Sequence, residues 1–321
     1  MNNYIAKAIT RSVEKYSRNK PIPFNGITSL YWLQQTIGFD RSLWKHKEIH
    51  QHDGKKRYGN FLDDSVFIIG APRSGTTFLG DVLSLDYQFI YFYEVVALKA
   101  MASLVHRHKL RGQKLKLVME FYYGVLMWSH RAFKLRVLDK NPMHCFTIDE
   151  LSKIYKSSKF IFIYRDGRDA ALSLMKSGWH NENNQHGAVR EVGGYPIGNC
   201  PWWFIEEDRR EEYVHTSDIH RCMWIWRIYN QEAIKALANI SDGRVLWVKY
   251  EDLIKCPNQE VERCFHFMGS QYSNELKGRS NILLQKVMSG NSGKYKKELS
   301  EETLKQIEKE GIAMLERLNY L

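Results

Sequence analysis

An α/β fold is predicted, a P-loop-like three-layer sandwich with a central parallel sheet flanked by helices, and three observations predict it. Short apolar runs at 66–69, 89–92 and 159–164 (KFIFIY) are continuous rather than alternating, as in strands buried on both faces. Stretches with apolar residues at helical spacing separate them, the alternation that parallel crossovers require. The runs at 66–69 and 159–164 break into a Gly-rich or Arg-bearing turn that opens a helix. In such sheets ligands bind beyond the C-terminal ends of the strands, where both turns fall.

Taken in order, residues 1–60 read as a helical N-terminal extension. Ile5, Ile9, Val13 and Tyr16 stand at helical spacing, with Lys7, Arg11, Lys15 and Arg18 between them. Residues 61–321 read as a single domain, long enough to bury a large core. The strand near 66–70 leads into a helix at 76–85, because Thr76 and Thr77 open a periodic run through Phe78, Leu79, Val82, Leu83 and Leu85. The strand at 89–92 precedes helical patterns at 94–108 and 113–132. A third strand covers 136–138, and Thr147-x-x-Glu150 predicts a capping box for a helix to 156. After KFIFIY a helix runs from Asp169 until Gly178 ends it. The stretch 180–215 is irregular; a helix at 218–239, the turn Ser241-Asp242-Gly243 and a strand at 245–249 follow.

Composition narrows the function. The 47 basic and 36 acidic side chains leave a formal charge of +11, which favours anionic partners. No zinc-finger, RNA-recognition or helix-turn-helix pattern accompanies the basic run His106-Arg107-His108-Lys109-Leu110-Arg111, so it reads as a solvated face and no nucleic-acid partner is expected. No stretch reaches the ~18 apolar residues of a membrane helix, and stable membrane insertion is not expected. The first residues lack the apolar core of a secretion signal. Cys145, Cys200, Cys222, Cys256 and Cys264 form no CxxC pair and no metal-ligand spacing, which predicts a reducing, cytoplasmic setting and no metal.

Two segments carry chemistry. Residues 67–77 read FIIGAPRSGTT: a strand, a turn forced by Gly70, Pro72 and Gly75, then a helix N-terminus. That order presents backbone N–H groups and the positive end of a helix dipole to a phosphate-like oxyanion. Gly70-x4-Gly75 has Walker A spacing, but Thr76 stands where the phosphate-binding Lys belongs and the cation, Arg73, lies inside the loop. Magnesium-dependent ATP chemistry is therefore disfavoured. The second segment, YRDGRDAALS at 164–173, places Arg165 at a strand's C-terminal end and Ser173 two turns into the following helix. Guanidinium and hydroxyl together suit a second phosphate, while a strand-end ion pair of Arg165 with Asp166 or Asp169 is the plainer alternative.

These segments resemble the superfamily of sulfotransferases that use 3′-phosphoadenosine 5′-phosphosulfate (PAPS). The first is similar to its PxSGTT loop for the 5′-phosphosulfate, and the second to its strand, RDxR and Ser-bearing helix for the 3′-phosphate. A third, VMSGNSGKYKKEL at 287–299, is similar to its late G-x-x-G-x-W-K loop, with Gly290, Gly293, Tyr295 and Lys296 in place. The Arg-Lys pair that precedes this loop in cytosolic members is replaced by Met288 and Ser289, with Lys294, Lys296 and Lys297 as the cations at hand. The resemblance spans roughly 65–300 and, in its active-site pattern, points to the tyrosylprotein and bacterial sulfotransferase-like subgroup.

The resemblance implies an enzyme with PAPS as cofactor and adenosine 3′,5′-bisphosphate as product. It implies cofactor contacts from Arg73, Ser74, Gly75, Thr76, Thr77, Arg165, Ser173, Tyr250, Ser292, Gly293, Lys294 and Lys296. Sulfuryl transfer needs a base for the acceptor and a cation at the transferred group. Glu94, in YFYEVV, falls on the subgroup's catalytic Glu, and Lys140, in LDKNPMH, on the Lys that contacts the sulfuryl group and leaving oxygen. Plainer roles are a helix-dipole partner for Glu94 and a surface cation for Lys140. His144 is a second candidate base or acceptor contact, and Ser289 or Ser292 a contact to the bridging oxygen.

The stretch 180–215 is the expected acceptor lid, with His180, Tyr195, Trp202 and Trp203 beside Glu206, Glu207, Asp208, Glu211 and Glu212. Aromatic surface next to acid suits a cationic or nitrogen-rich small molecule; a solvated helix face with internal ion pairs reads equally well. The expected acceptor is the hydroxyl or amine of a small molecule. The alternatives are a carbohydrate or peptide tyrosine and, from other classes, a P-loop kinase or a non-catalytic nucleotide-binding module. A kinase would carry Lys after Gly75 and a magnesium Asp on a neighbouring strand; a binding module would have no need of Glu94 with Lys140.

Overall fold

The computed structural model describes residues 62–127, 135–178, 203–285 and 292–321. Its strands are β1 (Val66–Ile69), β2 (Phe89–Tyr93), β3 (Arg136–Lys140), β4 (Lys159–Tyr164) and β5 (Val245–Lys249). Its α-helices are α1 (Thr76–Leu83), α2 (Val96–His106), α3 (Gly112–Leu126), α4 (Ile148–Ile154), α5 (Gly167–Lys176), α6 (Arg210–His215), α7 (Asp218–Leu237), α8 (Tyr250–Lys255), α9 (Pro257–Met268), α10 (Asn274–Leu284), α11 (Tyr295–Glu298) and α12 (Glu301–Arg317).

The strands form one parallel sheet in the order β2-β3-β1-β4-β5. Successive residues of each strand feed opposite cores, which is why the runs are continuously apolar. Phe67, Ile69, Phe92 and Phe162 pack under α2, α3, α5, α7 and α12; Val66, Ile68, Tyr91 and Ile163 pack under α1, α8, α9 and α10. Helices thus cover both faces, the three-layer arrangement expected from the sequence.

Register fixes what meets at the sheet's upper edge. Ile68 of β1 pairs with Lys140 on one side and Ile161 on the other, Tyr93 pairs with Lys140, and Tyr164 with Lys249. The residues that follow the strands, Gly70, Glu94, Asn141, Arg165 and Tyr250, therefore emerge side by side. Two glycines make this close approach feasible. A Cβ on Gly70 would lie 2.2 Å from the Ile163 carbonyl oxygen, and one on Gly75, whose φ is 92°, would lie 2.6 Å from the Tyr250 ring.

Several boundaries differ from the sequence reading, each for a local reason. The third strand runs on to Lys140 because it pairs with both β1 and β2. The helix after β4 starts at Gly167, since the Asp166 carboxylate accepts from the Arg168 N–H and caps it two residues early. The capping box at Thr147 does not form: the Thr147 hydroxyl hydrogen-bonds His144, and Glu150 accepts from Gly112 N–H instead. The part of 180–215 described here is regular, a 3-10 turn at Glu207–Arg209 leading into α6. The predicted extension 1–60, the region 180–202 and residues 287–291 lie outside the described residues. Among those described, no helix is long and apolar enough to cross a membrane.

Candidate active site

The two segments expected to bind anions form one unit. Arg73 sits in the left-handed region at φ 68°, and its Nε donates to Ser173 Oγ at 3.1 Å. Arg165 Nη1 donates to the Arg73 carbonyl at 3.1 Å, and its guanidinium lies 4.5 Å from the Tyr250 ring centroid. Trp226 Nε1 in turn donates to the Arg165 carbonyl at 3.1 Å. Asp166 is gripped by Arg168 through Nε at 2.9 Å and Nη2 at 2.8 Å, and Arg168 continues to Glu308.

Above this unit lies a cavity of about 640 Å³. Of the expected cofactor residues it is lined by Arg73, Gly75, Thr76, Thr77, Arg165, Ser173, Tyr250 and Lys294. Ser74 is fully buried beneath the loop and does not line it. Ser292, Gly293 and Lys296 line a separate groove of about 690 Å³ on the other flank of the late loop. That loop is tied to α5, since Asp169 accepts from the N–H groups of Gly293 at 2.6 Å and Tyr295 at 3.1 Å. Phe78, Asp81, Asp169 and Lys176, which sequence alone did not assign to the site, also line the cavity of about 640 Å³. Phe78 had a signal, an aromatic directly after the two threonines on the first turn of α1.

Glu94 and Lys140 do come together. Lys140 Nζ donates to Glu94 Oε1 at 2.6 Å, while Lys99 Nζ donates to Oε2 at 2.8 Å. Lys140 is fully buried, with Nζ 3.7 Å from the Tyr93 ring centroid. The Glu94 backbone is also left-handed, at φ 49°, and its N–H donates to the Lys140 carbonyl at 2.8 Å. Burial alone would raise the Glu94 carboxyl, but Lys99 and Lys140 outweigh it and hold the pKa down at about 2. Glu94 opens onto a second cavity of about 290 Å³, lined also by Pro72, Tyr93, Lys99, Pro142, Met143, Leu174 and Tyr229, while the buried Lys140 lines neither cavity. Arg73, Thr76, Thr77 and Ser177 line both cavities, so the two meet at the anion-binding loop.

Other expected site residues sit elsewhere. His144 is 2% exposed and lines neither cavity; its Nε2 lies 2.7 Å from Asp139 Oδ2 and its Nδ1 3.0 Å from Thr147 Oγ1. Tyr123 donates to the same Asp139 carboxylate. Trp203 is buried against Phe146 and Phe204. Glu206 is held by Arg227, Glu207 by Arg210 and Glu212 by Arg209, and none of the three lines the second cavity. These three acids are thus ion-paired away from that cavity, while His180 and Tyr195, which the cationic-acceptor expectation also used, lie outside the described residues. Trp202 and Ser289 lie outside the described residues.

Over 226 residues the chain is 23% identical to protein-tyrosine sulfotransferase 2 of Gallus gallus, covering 66% of this chain and 52% of that protein. It is 21% identical over 279 residues to flavonol 4′-sulfotransferase of Flaveria chlorifolia, covering 84% and 73%. The chain thus spans about half the length of its chicken relative. A sulfotransferase structure from Mycobacterium avium aligns over 97% of this chain and 90% of that one, with 15% identity and a TM-score of 0.49. The model of the Sulfotransferase family matches residues 65–274, well over half of the chain, and the chain belongs to that family.

Proposed function

We propose that residues 61–321 form a PAPS-dependent sulfotransferase domain acting on a phenolic hydroxyl. The observation that carries the reading is the junction of the two cavities at Arg73, Thr76 and Thr77, with Glu94 lining the acceptor side and the buried Lys140 hydrogen-bonded behind it. The cavity above Arg73 and Arg165 suits a nucleotide bearing several negative charges. The N-terminus of α1 faces it, and Arg73, Arg165, Lys176 and Lys294 line it. Phe78 and Tyr250 add aromatic lining that suits a purine. A mouse sulfotransferase has been solved with adenosine 3′,5′-bisphosphate, which fits this cofactor choice.

PAPS supplies a sulfuryl group whose bond to the 5′-phosphate oxygen breaks as the acceptor oxygen bonds to sulfur, leaving a sulfate ester and adenosine 3′,5′-bisphosphate. Glu94 takes the acceptor's proton and Lys140 offers positive charge at the leaving oxygen. Arg73 and the loop N–H groups hold the phosphosulfate in line. The second cavity, lined by Tyr93, Tyr229, Pro142, Met143 and Leu174, suits a flat aromatic acceptor. Both named relatives act on phenols, a flavonol hydroxyl in one and tyrosine in the other, so a small phenol is the first reading and a peptide tyrosine the second. Cytoplasmic residence belongs to the first reading.

The test is thermal stabilisation by PAPS and by ATP, followed by bisphosphate release with a panel of phenols, tyrosyl peptides, amines and sugars. Stabilisation by ATP but not PAPS would end the proposal. Glu94→Gln is expected to lower turnover by roughly 10²–10⁴-fold with PAPS binding retained. A wild-type rate would remove Glu94 as the base.

A further inference from the structure

Glu94 is fixed at three points: its N–H on the Lys140 carbonyl, Oε1 on Lys140 Nζ and Oε2 on Lys99 Nζ. The two ammonium groups differ in place. Lys140 is fully buried at the end of β3, opposite Ile68 and beside the anion-binding loop. Lys99 is 32% exposed, lines the acceptor cavity and does not line the one above Arg73 and Arg165. Its backbone is rigid, since the Lys99 N–H donates to the Val95 carbonyl at 3.0 Å in the first turn of α2.

A carboxylate gripped through both oxygens is a poor proton acceptor. Once Lys140 directs its charge to the leaving oxygen, Oε1 is free to receive a proton and Lys99 alone opposes rotation of the Glu94 side chain. We propose that Lys99 is a positioning residue for sulfuryl transfer, holding Glu94 by Oε2 so that Oε1 faces the acceptor hydroxyl. The proposal rests on Glu94 being the base. Among the described residues, the other charged or titratable groups against Glu94 or in its cavity are Lys140 on β3, Arg73 in the loop, Tyr91 and Tyr93 on β2 and Tyr229 on α7.

Removing the Lys99 ammonium takes away one of the two charges that hold the Glu94 carboxyl at about 2, so its titration must move up in pH. The experiment compares Lys99→Met and Lys99→Arg with the wild-type chain, each first shown to melt cooperatively. Lys99→Gln replaces the Met variant if that one does not fold. The carboxyl titration is read by ¹³C NMR on glutamate-labelled protein, with Glu94→Gln assigning the signal. Turnover is read with PAPS and 4-nitrophenol or, if that is not sulfated, the acceptor found in the panel.

Lys99→Met is expected to raise the Glu94 titration by about one unit or more and to lower kcat by about 10- to 100-fold, with the KM for PAPS unchanged. The acid limb of the kcat profile should rise with it, and Lys99→Arg should restore both. An unmoved Glu94 titration in Lys99→Met overturns the proposal. So does a kcat loss that Arg fails to restore, or a wild-type kcat. If Glu94→Gln turns over normally while the titration still shifts, the reading of Glu94 as base has failed and the Lys99 contact stands.

Discussion

Arg73 and Glu94 share a feature that residue type alone does not predict: both hold positive φ without being glycine. Each such backbone costs on the order of 1 kcal/mol or more and persists where the surroundings over-determine it. Here the Arg165 bond to the Arg73 carbonyl and the Glu94 bond to the Lys140 carbonyl do so. Arg165→Ala removes the first and a cation from the cavity, so the Kd for PAPS should rise about 10- to 100-fold in calorimetry while kcat at saturation changes little. Gly75→Ala would drive a methyl into Tyr250 and is expected to lower Tm and abolish stabilisation by PAPS in the same melt. Most of the cavity lining was legible because anion binding needs Gly, Arg and Ser in contiguous strings. Lys99 and Lys176 were not, because each reaches the site through the direction of a helical side chain. His144 follows Lys140 closely in sequence, yet the 3-10 turn at Pro142–Phe146 carries its ring beneath the sheet edge to Asp139.

Among the elements, α7 and α12 are joined by a buried charge cluster remote from the chemistry. Glu310 of α12, its side chain 4% exposed, receives Arg227 at 2.7 Å and Arg209 at 2.8 Å, with His220 at 3.3 Å. Burial would raise its carboxyl, but the bonds from His220, Arg209 and Arg227 outweigh burial and hold it at about 2. A carboxyl depressed in the fold adds stability that is complete above its ordinary pKa and fades as pH falls toward the folded value. Glu310 and Glu94 both titrate this way, so urea midpoints should fall as pH drops from about 4.5 toward 2. Glu310→Gln should cost on the order of 2 kcal/mol at pH 7, because Arg227 and Arg209 lose their shared buried partner and keep only the more exposed Glu206 and Glu212. A variant within a few tenths of wild type would mean that water already screens the cluster. Helix and strand positions followed from apolar spacing, whereas this cluster did not. Arg209 and Glu310 lie 101 residues apart, and no local pattern joins them.

At the scale of the whole molecule, the +11 charge has a local use, since four cations face the nucleotide cavity against Asp81 and Asp169. The KM for PAPS should therefore rise with ionic strength, while that for a neutral phenol should not. The fold class was legible throughout, but the strand order was not: alternation predicts a parallel sheet without saying which strand lies in the middle. That middle strand is β1, flanked by β3 and β4. Its place has a consequence in time. Arg73 meets Ser173 across 100 residues of chain and Glu94 meets Lys140 across 46, so neither contact exists until distant strands have docked. Such non-local closure makes folding slow and leaves little room for a partly folded yet competent enzyme. In refolding from urea, turnover should reappear in the same phase that buries Trp224 and Trp226, never ahead of it.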